Sequence, residues 1–150
     1  MLVRELAARG HAVRATTRDP EQLALIEAAG AEPVLADPDR VATLVAALEH
    51  VTVVCILLGS ASGSVVELAA LHGSRLEMLL TKMVDTTVRG VVYEAVGTAD
   101  ASVLGEGAER VLAFSERSPA GCALLEADPS DPERWLEAAA EAVDRAIAPR

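Results

Sequence analysis

The chain has 150 residues, enough for one domain, and 51% of them are hydrophobic, which supplies a substantial core. A formal charge of −10, with no basic stripe to offset it, argues against nucleic acid and anionic membrane surfaces as partners. One Trp, one Tyr and one Phe leave too little aromatic surface for base-stacking platforms. Cys55 and Cys122 lie in apolar, strand-like runs and read as buried reduced thiols rather than as a disulfide or metal pair. No signal peptide or transmembrane stretch is evident, so a cytoplasmic location is expected. No spacing of His, Cys, Asp or Glu suggests a metal, and no serine sits in a G-x-S-x-G elbow.

In chain order, Met1 to Arg9 is predicted as a helix, with Leu2, Val3 and Leu6 on one stripe and Gly10 as its stop. Its first amides have no Ser, Thr, Asp or Asn before them as a cap. His11 to Thr17 reads as a strand. Asp19-Pro20-Glu21-Gln22 then opens a helix that ends at Gly30. Pro33 to Ala36 is the next strand, and Asp37-Pro38-Asp39 is expected to cap a helix carrying Val41, Leu44, Val45 and Leu48 on its apolar face.

Val51 to Ser60 is the most hydrophobic run, with the β-branched content of a strand buried on both faces. It leads into the small-residue loop Gly59-Ser60-Ala61-Ser62-Gly63-Ser64. Val65 to Leu71 is a helical piece that breaks at His72-Gly73, and Ser74-x-x-Glu77 reads as a capping box restarting it. Val88 to Val96 is a strand, about Ser102 to Glu116 a helix, and Gly121 to Ala127 the last strand. Ser130-Asp131-Pro132-Glu133 caps a terminal helix in which Trp135, Leu136, Ala139, Ala140, Val143 and Ile147 face inward. A helix followed by five strand–helix repeats with short connections predicts a single α/β domain: a doubly wound, mostly parallel sheet with helices on both faces.

Several stretches carry a family resemblance: Leu2 to Pro20, then Gly30-Ala31-Glu32-Pro33-Val34, Asp37 and Val51-Thr52-Val53-Val54. Over roughly the first 96 residues the chain resembles extended and atypical short-chain dehydrogenases/reductases, including the epimerase/dehydratase-like and NmrA-like proteins. The resemblance implies a Rossmann fold that binds NAD(P). Such proteins open on a strand and a glycine-rich turn that cradles the pyrophosphate. This sequence starts inside the corresponding first helix, so the expectation is an N-terminally truncated Rossmann sheet with cofactor binding impaired by the missing turn. An in-frame strand and turn encoded before Met1 would then be found. The Val51 to Ser60 strand would either close directly on His11 to Thr17 or border a gap, and dimerisation would cover an exposed edge.

By the same resemblance, Thr17 and Arg18 meet the adenosine ribose, and an arginine there favours NADP over NAD by pairing with the 2′-phosphate. A cation just before a helix N-terminus opposes the helix dipole, so helix stability gives no reason for Arg18. Asp37 matches an acidic residue near the adenine, and capping the next helix would explain it equally well. Gly59 and Ser60 correspond to residues on the nicotinamide side, where an ordinary flexible connection is the plain alternative.

Catalysis in such reductases relies on a Tyr and a Lys in a Y-x-x-x-K helix. Here the only tyrosine, Tyr93, falls in a strand with glycine at 97, and the only lysine is Lys82. Any chemistry would fall to atypical groups such as Glu94, Thr98 or His72, of which Glu94 reads more readily as a polar strand end and His72 as a helix break. Two readings follow: an NADP-binding protein of the atypical reductase type, oxidoreductase or epimerase-like if active, or a non-catalytic regulatory or interaction module that keeps the fold.

Overall fold

In a computed structural model that describes residues 1–149, all the predicted elements are present in the predicted order. Helix α1 (Leu2–Ala8) precedes β1 (Arg14–Thr17), α2 (Leu23–Ala28) and β2 (Glu32–Leu35). A short α3 (Ala42–Val45) leads to β3 (Val53–Ile56). Then come α4 (Val65–Leu71), α5 (Ser74–Met83), β4 (Gly90–Glu94), α6 (Ala101–Arg117), β5 (Gly121–Leu125) and α7 (Pro132–Ile147).

Every strand pair is parallel, as short strand–helix repeats require, but the strands form two sheets rather than one. β1 pairs with β2, and β3-β4-β5 form the other, with β4 in the middle. Of the two arrangements open to the Val51 to Ser60 run, direct closure on β1 is therefore not the one adopted. The run is also not a strand buried along its whole length. Only Val53–Ile56 is strand, paired along a single edge, and Val53, Val54 and Cys55 are half-buried. β4 takes the central place with every residue buried, because it alone has strands on both edges and helices on both faces.

The double winding is visible in the packing. On one face of the larger sheet, Leu76, Leu80 and Met83 of α5 and Val111 and Phe114 of α6 pack with Val91 and Tyr93. On the other, Leu6 of α1 and Ala139, Ala140 and Val143 of α7 pack with Val92, Ala123 and Leu125. Alternate residues of β4 thus serve opposite cores. Burying each of these larger side chains contributes about 1.5–3 kcal/mol. The alanine-rich face of α7 lets that helix lie close: a methyl group at Gly90 would come within 2.7 Å of the Ala146 carbonyl oxygen. Ala146 is accordingly buried, whereas Ile147, expected to face inward, is 40% exposed.

Local side-chain chemistry explains two other departures from expectation. Asp37 does not cap a helix: its carboxylate accepts the Asp39 amide at 2.9 Å in a tight turn, and the helix starts only at Ala42. The capping box lies at Ser64 and Glu67, where Ser64 Oγ accepts the Glu67 amide at 3.1 Å and the Glu67 carboxylate accepts the Ser64 amide at 3.4 Å. Ser74, by contrast, is already inside α5 and makes no cap, because Gly73 precedes it as the boundary residue. Asp19, Asp100 and Asp131 do cap the segments that follow them. Among the described residues no helix is long and apolar enough to cross a membrane.

Candidate functional site

Parallel strands present their carboxyl ends on one side, and ligands of such sheets bind there. An open cleft of about 520 Å³ lies at that side of the larger sheet. Leu57, Leu58, Ser60 and Ala61 line it from the end of β3, Glu94 from the end of β4, and Pro129, Pro132 and Trp135 from the turn into α7. Met1, at the start of α1, completes the rim.

Glu94 organises the cleft. It is 4% exposed, and each carboxylate oxygen accepts a hydrogen bond of 2.8 Å, Oε1 from the Gly59 amide and Oε2 from the Trp135 indole N–H. The side chain thereby joins the ends of β3, β4 and α7. Glycine is required at 59 by close approach, since a methyl group there would lie 2.7 Å from the Val96 carbonyl oxygen and 2.8 Å from Glu94 Oε1. Two further bonds tie the same loops together: the Ala99 amide donates to the Gly59 carbonyl at 3.0 Å, and the Thr98 amide to Ser60 Oγ at 3.3 Å.

Beside the cleft lies a second polar group, a pairing of His72 with Tyr93 that the sequence does not reveal. His72 ends α4 and is 2% exposed, and Tyr93 is fully buried in β4. His72 Nε2 lies 3.1 Å from the Leu58 carbonyl oxygen, which can only accept, so Nε2 carries the proton. In the neutral ring Nδ1 is then the acceptor, and the Tyr93 hydroxyl donates to it at 2.7 Å. Burial holds the His72 pKa below its ordinary value and pushes the Tyr93 phenol up to about 12, so this relay is neutral across the physiological range. Three successive residues, Leu58, Gly59 and Ser60, are thus fixed by groups from α4, β4 and the β4–α6 loop.

The other sequence-predicted residues lie at the ends of the smaller sheet. Thr17 closes β1, and its Oγ1 accepts the Asp19 amide at 3.1 Å. Arg18 follows as an exposed side chain, in no ion pair among the described residues. The Ala36 amide donates to the Thr17 carbonyl at 2.9 Å, which brings the end of β2, and with it Asp37, beside the end of β1. None of Thr17, Arg18 and Asp37 lines the cleft, whereas Ser60 and Glu94 do. Thr98 is exposed and reaches the cleft only through its amide bond to Ser60. Trp135, read from its spacing as core, is the residue that sequence reasoning missed; a lone indole in the first turn after a strand was its one signal. Cys55 and Cys122 are free thiols with pKa values raised by burial to about 11, so neither is a ready nucleophile.

Comparison with known proteins agrees with this fold. The NAD(P)H-binding family matches residues 1–115. None of the curated proteins matches the chain. Among solved structures, the fold is similar to that of the Citrobacter sp. triphenylmethane reductase complexed with NADP(H), at a TM-score of 0.62 and 16% identity, over 83% of this chain and 44% of that one. A second structure of the Citrobacter sp. enzyme, described in connection with bioremediation of triphenylmethane dyes, gives the same TM-score of 0.62 at 15% identity. The chain spans under half the length of these solved structures, and at such identities the likeness establishes the fold. With a family match over most of its length, a doubly wound parallel architecture and a cleft at the strand ends, the chain belongs to the NAD(P)H-binding family.

Proposed function

We propose that the protein binds NADP(H) in preference to NAD(H), with the adenosine end over the carboxyl ends of β1 and β2 and the nicotinamide end toward the Gly59–Ser60 side of the cleft. The observation that carries this is Arg18, an exposed guanidinium in no ion pair among the described residues, placed at the end of β1 with Asp37 at the end of the neighbouring strand. A guanidinium there can take a 2′-phosphate in paired hydrogen bonds. Asp37 serves the adenine side, and Ser60 offers its hydroxyl at the ring end. Thr17 and Gly59 act through backbone shape, since the Thr17 hydroxyl is engaged by Asp19 and both sides of the Gly59 peptide are already hydrogen-bonded. The bound cofactor would supply hydride chemistry.

Calorimetric titration of the wild type and of Arg18→Ala with NADPH and NADH tests the assignment. Loss of a charge-assisted pair predicts NADPH affinity about 10- to 100-fold weaker in the variant, with NADH affinity unchanged. Equal loss for both cofactors would remove Arg18 from the 2′-phosphate.

One observation favours the second reading, a cofactor-binding module without catalysis. Both oxygens of Glu94 and the hydroxyl of Tyr93 are committed to internal hydrogen bonds, and Lys82 lies exposed in the last turn of α5. No Tyr–Lys pair is placed to move a proton. Substrate-dependent NADPH oxidation that is lost on altering Glu94 or Thr98 would favour an enzyme of the oxidoreductase or epimerase type instead. A homodimer, closing over the single-paired edge of β3, is the oligomer this architecture favours.

A further inference from the structure

We propose that β1, α2 and β2 form a unit that opens while the larger sheet stays folded, that Arg14 clasps it shut, and that a dinucleotide spanning both sheets holds it closed. Two short strands are marginal on their own and need a buried apolar face to persist. This pair has little of one: from Arg14 to Ala36 only Ala31 and Ala36 are buried, and neither belongs to the two cores that flank the larger sheet. Strands β1 and β2 and helix α2 contain no buried residue, and Leu25 and Leu35 are exposed. No strand pairing joins the two sheets. Among the described residues, the only side-chain hydrogen bonds between this unit and the rest of the chain come from Arg14, whose Nη1 donates to the Ala47 and Glu49 carbonyl oxygens at 2.8 Å each. Its Nε donates to the Glu32 carboxylate at 2.9 Å. One guanidinium thereby holds β1 and β2 against the connection that leads into β3. A segment with few buried apolar contacts and a single polar clasp belongs at the low end of local opening free energies, whereas β4, with every residue buried, belongs at the high end.

Closure by a dinucleotide rests on the binding mode proposed above: Thr17 and Arg18 belong to the unit and Asp37 adjoins it, whereas Ser60 lines the cleft of the larger sheet, so a ligand touching both binds the closed form alone. The opening and the clasp stand without that reading. Amide hydrogen exchange of the whole chain, followed by NMR, tests all three. The Glu32 and Ala36 amides report on the smaller sheet, since they donate to the Val13 and Thr17 carbonyl oxygens at 2.9 Å each, and the amides of β4 report on the larger. In the free protein, exchange at Glu32 and Ala36 is expected to be at least about 100-fold faster than in β4. Arg14→Met, which keeps the aliphatic stem, should quicken Glu32 and Ala36 at least about tenfold. Val111→Ala, in the core packed on β4, should quicken β4 at least about tenfold and leave Glu32 and Ala36 unchanged, because a unit that opens by itself does not sense the stability of the larger sheet. Equal exchange in the two sheets of the wild type, or equal quickening of both by Val111→Ala, would overturn the proposal, and unchanged exchange in Arg14→Met would remove the clasp. NADPH at about 100 times its dissociation constant should slow Glu32 and Ala36 about 100-fold. Fast exchange there that NADPH leaves unaltered would sink the dinucleotide reading and leave the opening unit; equal exchange in the two sheets, slowed alike by NADPH, would do the reverse.

Discussion

Replacing Gly107 with alanine is expected to destabilise the protein by about 3 kcal/mol, although alanine is the better helix former. Gly107 lies buried inside α6, and a methyl group there would overlap the Tyr93 hydroxyl and its ring carbon. Tyr93 is fully buried and cannot swing into solvent, so relief requires a shift that breaks its bond to His72. Overpacking of this kind costs about 1–3 kcal/mol, and an orphaned buried hydroxyl a further 1–3 kcal/mol or so. In a domain of this size the melting temperature should fall by roughly 6–12 °C. Gly105, two residues earlier in the same helix, has open space where a methyl group would stand, and Gly105→Ala should stabilise by up to about 1 kcal/mol. Denaturant titration of the two variants should therefore show midpoints displaced in opposite directions at similar slope. A Gly107→Ala variant as stable as Gly105→Ala would contradict the packing of Tyr93.

The second large effect is expected at His72. Leucine there keeps similar apolar bulk but leaves the buried Tyr93 hydroxyl and the Leu58 carbonyl without their partner, a loss of about 2–4 kcal/mol. Adding Tyr93→Phe removes the orphaned hydroxyl, so the double variant should lose less than the sum of the singles. The relay also gives stability a pH dependence of defined sign. Burial lowers the folded-state pKa of His72, while the unfolded ring titrates near 6.5. As pH falls below about 6.5 the unfolded chain takes up a proton that the folded chain resists, so this contribution is complete above that value and lost below it. His72→Leu should lack that component, and the difference in stability between wild type and variant should shrink as pH is lowered from about 7 to about 5. A difference that grows on acidification would mean that the folded protein prefers charged His72. Because the relay fixes Leu58, hydrogen exchange in residues 57–61 should also quicken in the variant.

How much of this was legible in the sequence depends on the range of the interactions involved. Element order and most helix starts were readable, because they follow from apolar spacing and from local caps such as Asp19 and Asp131. Local chemistry also misled where two sites compete: Asp37 spends its carboxylate on a turn two residues on, and Ser64, not Ser74, has its glutamate in reach. Hydrophobicity marked Val51 to Ser60 as a strand buried on both faces, but full burial depends on which strands and helices flank a strand, and that is a long-range property; β4, flanked by β3 and β5, has it. The cleft was only half visible. Ser60 and Glu94 could be named from strand ends, whereas the bonds from Glu94 to Gly59 and Trp135 span 35 and 41 residues of sequence. The His72–Tyr93 pair, 21 residues apart, needed the fold that brings the residue ending α4 against β4 to be seen at all.

Dinucleotide binding at the strand ends is the function proposed for the protein, and energy transfer from Trp135 to a reduced nicotinamide ring tests it most directly. Because this single indole lines the cleft, excitation of the protein during an NADPH titration should give saturable nicotinamide emission, with NADH requiring higher concentrations and Arg18→Ala abolishing the difference between the two. Absence of saturable transfer with either cofactor would contradict the account.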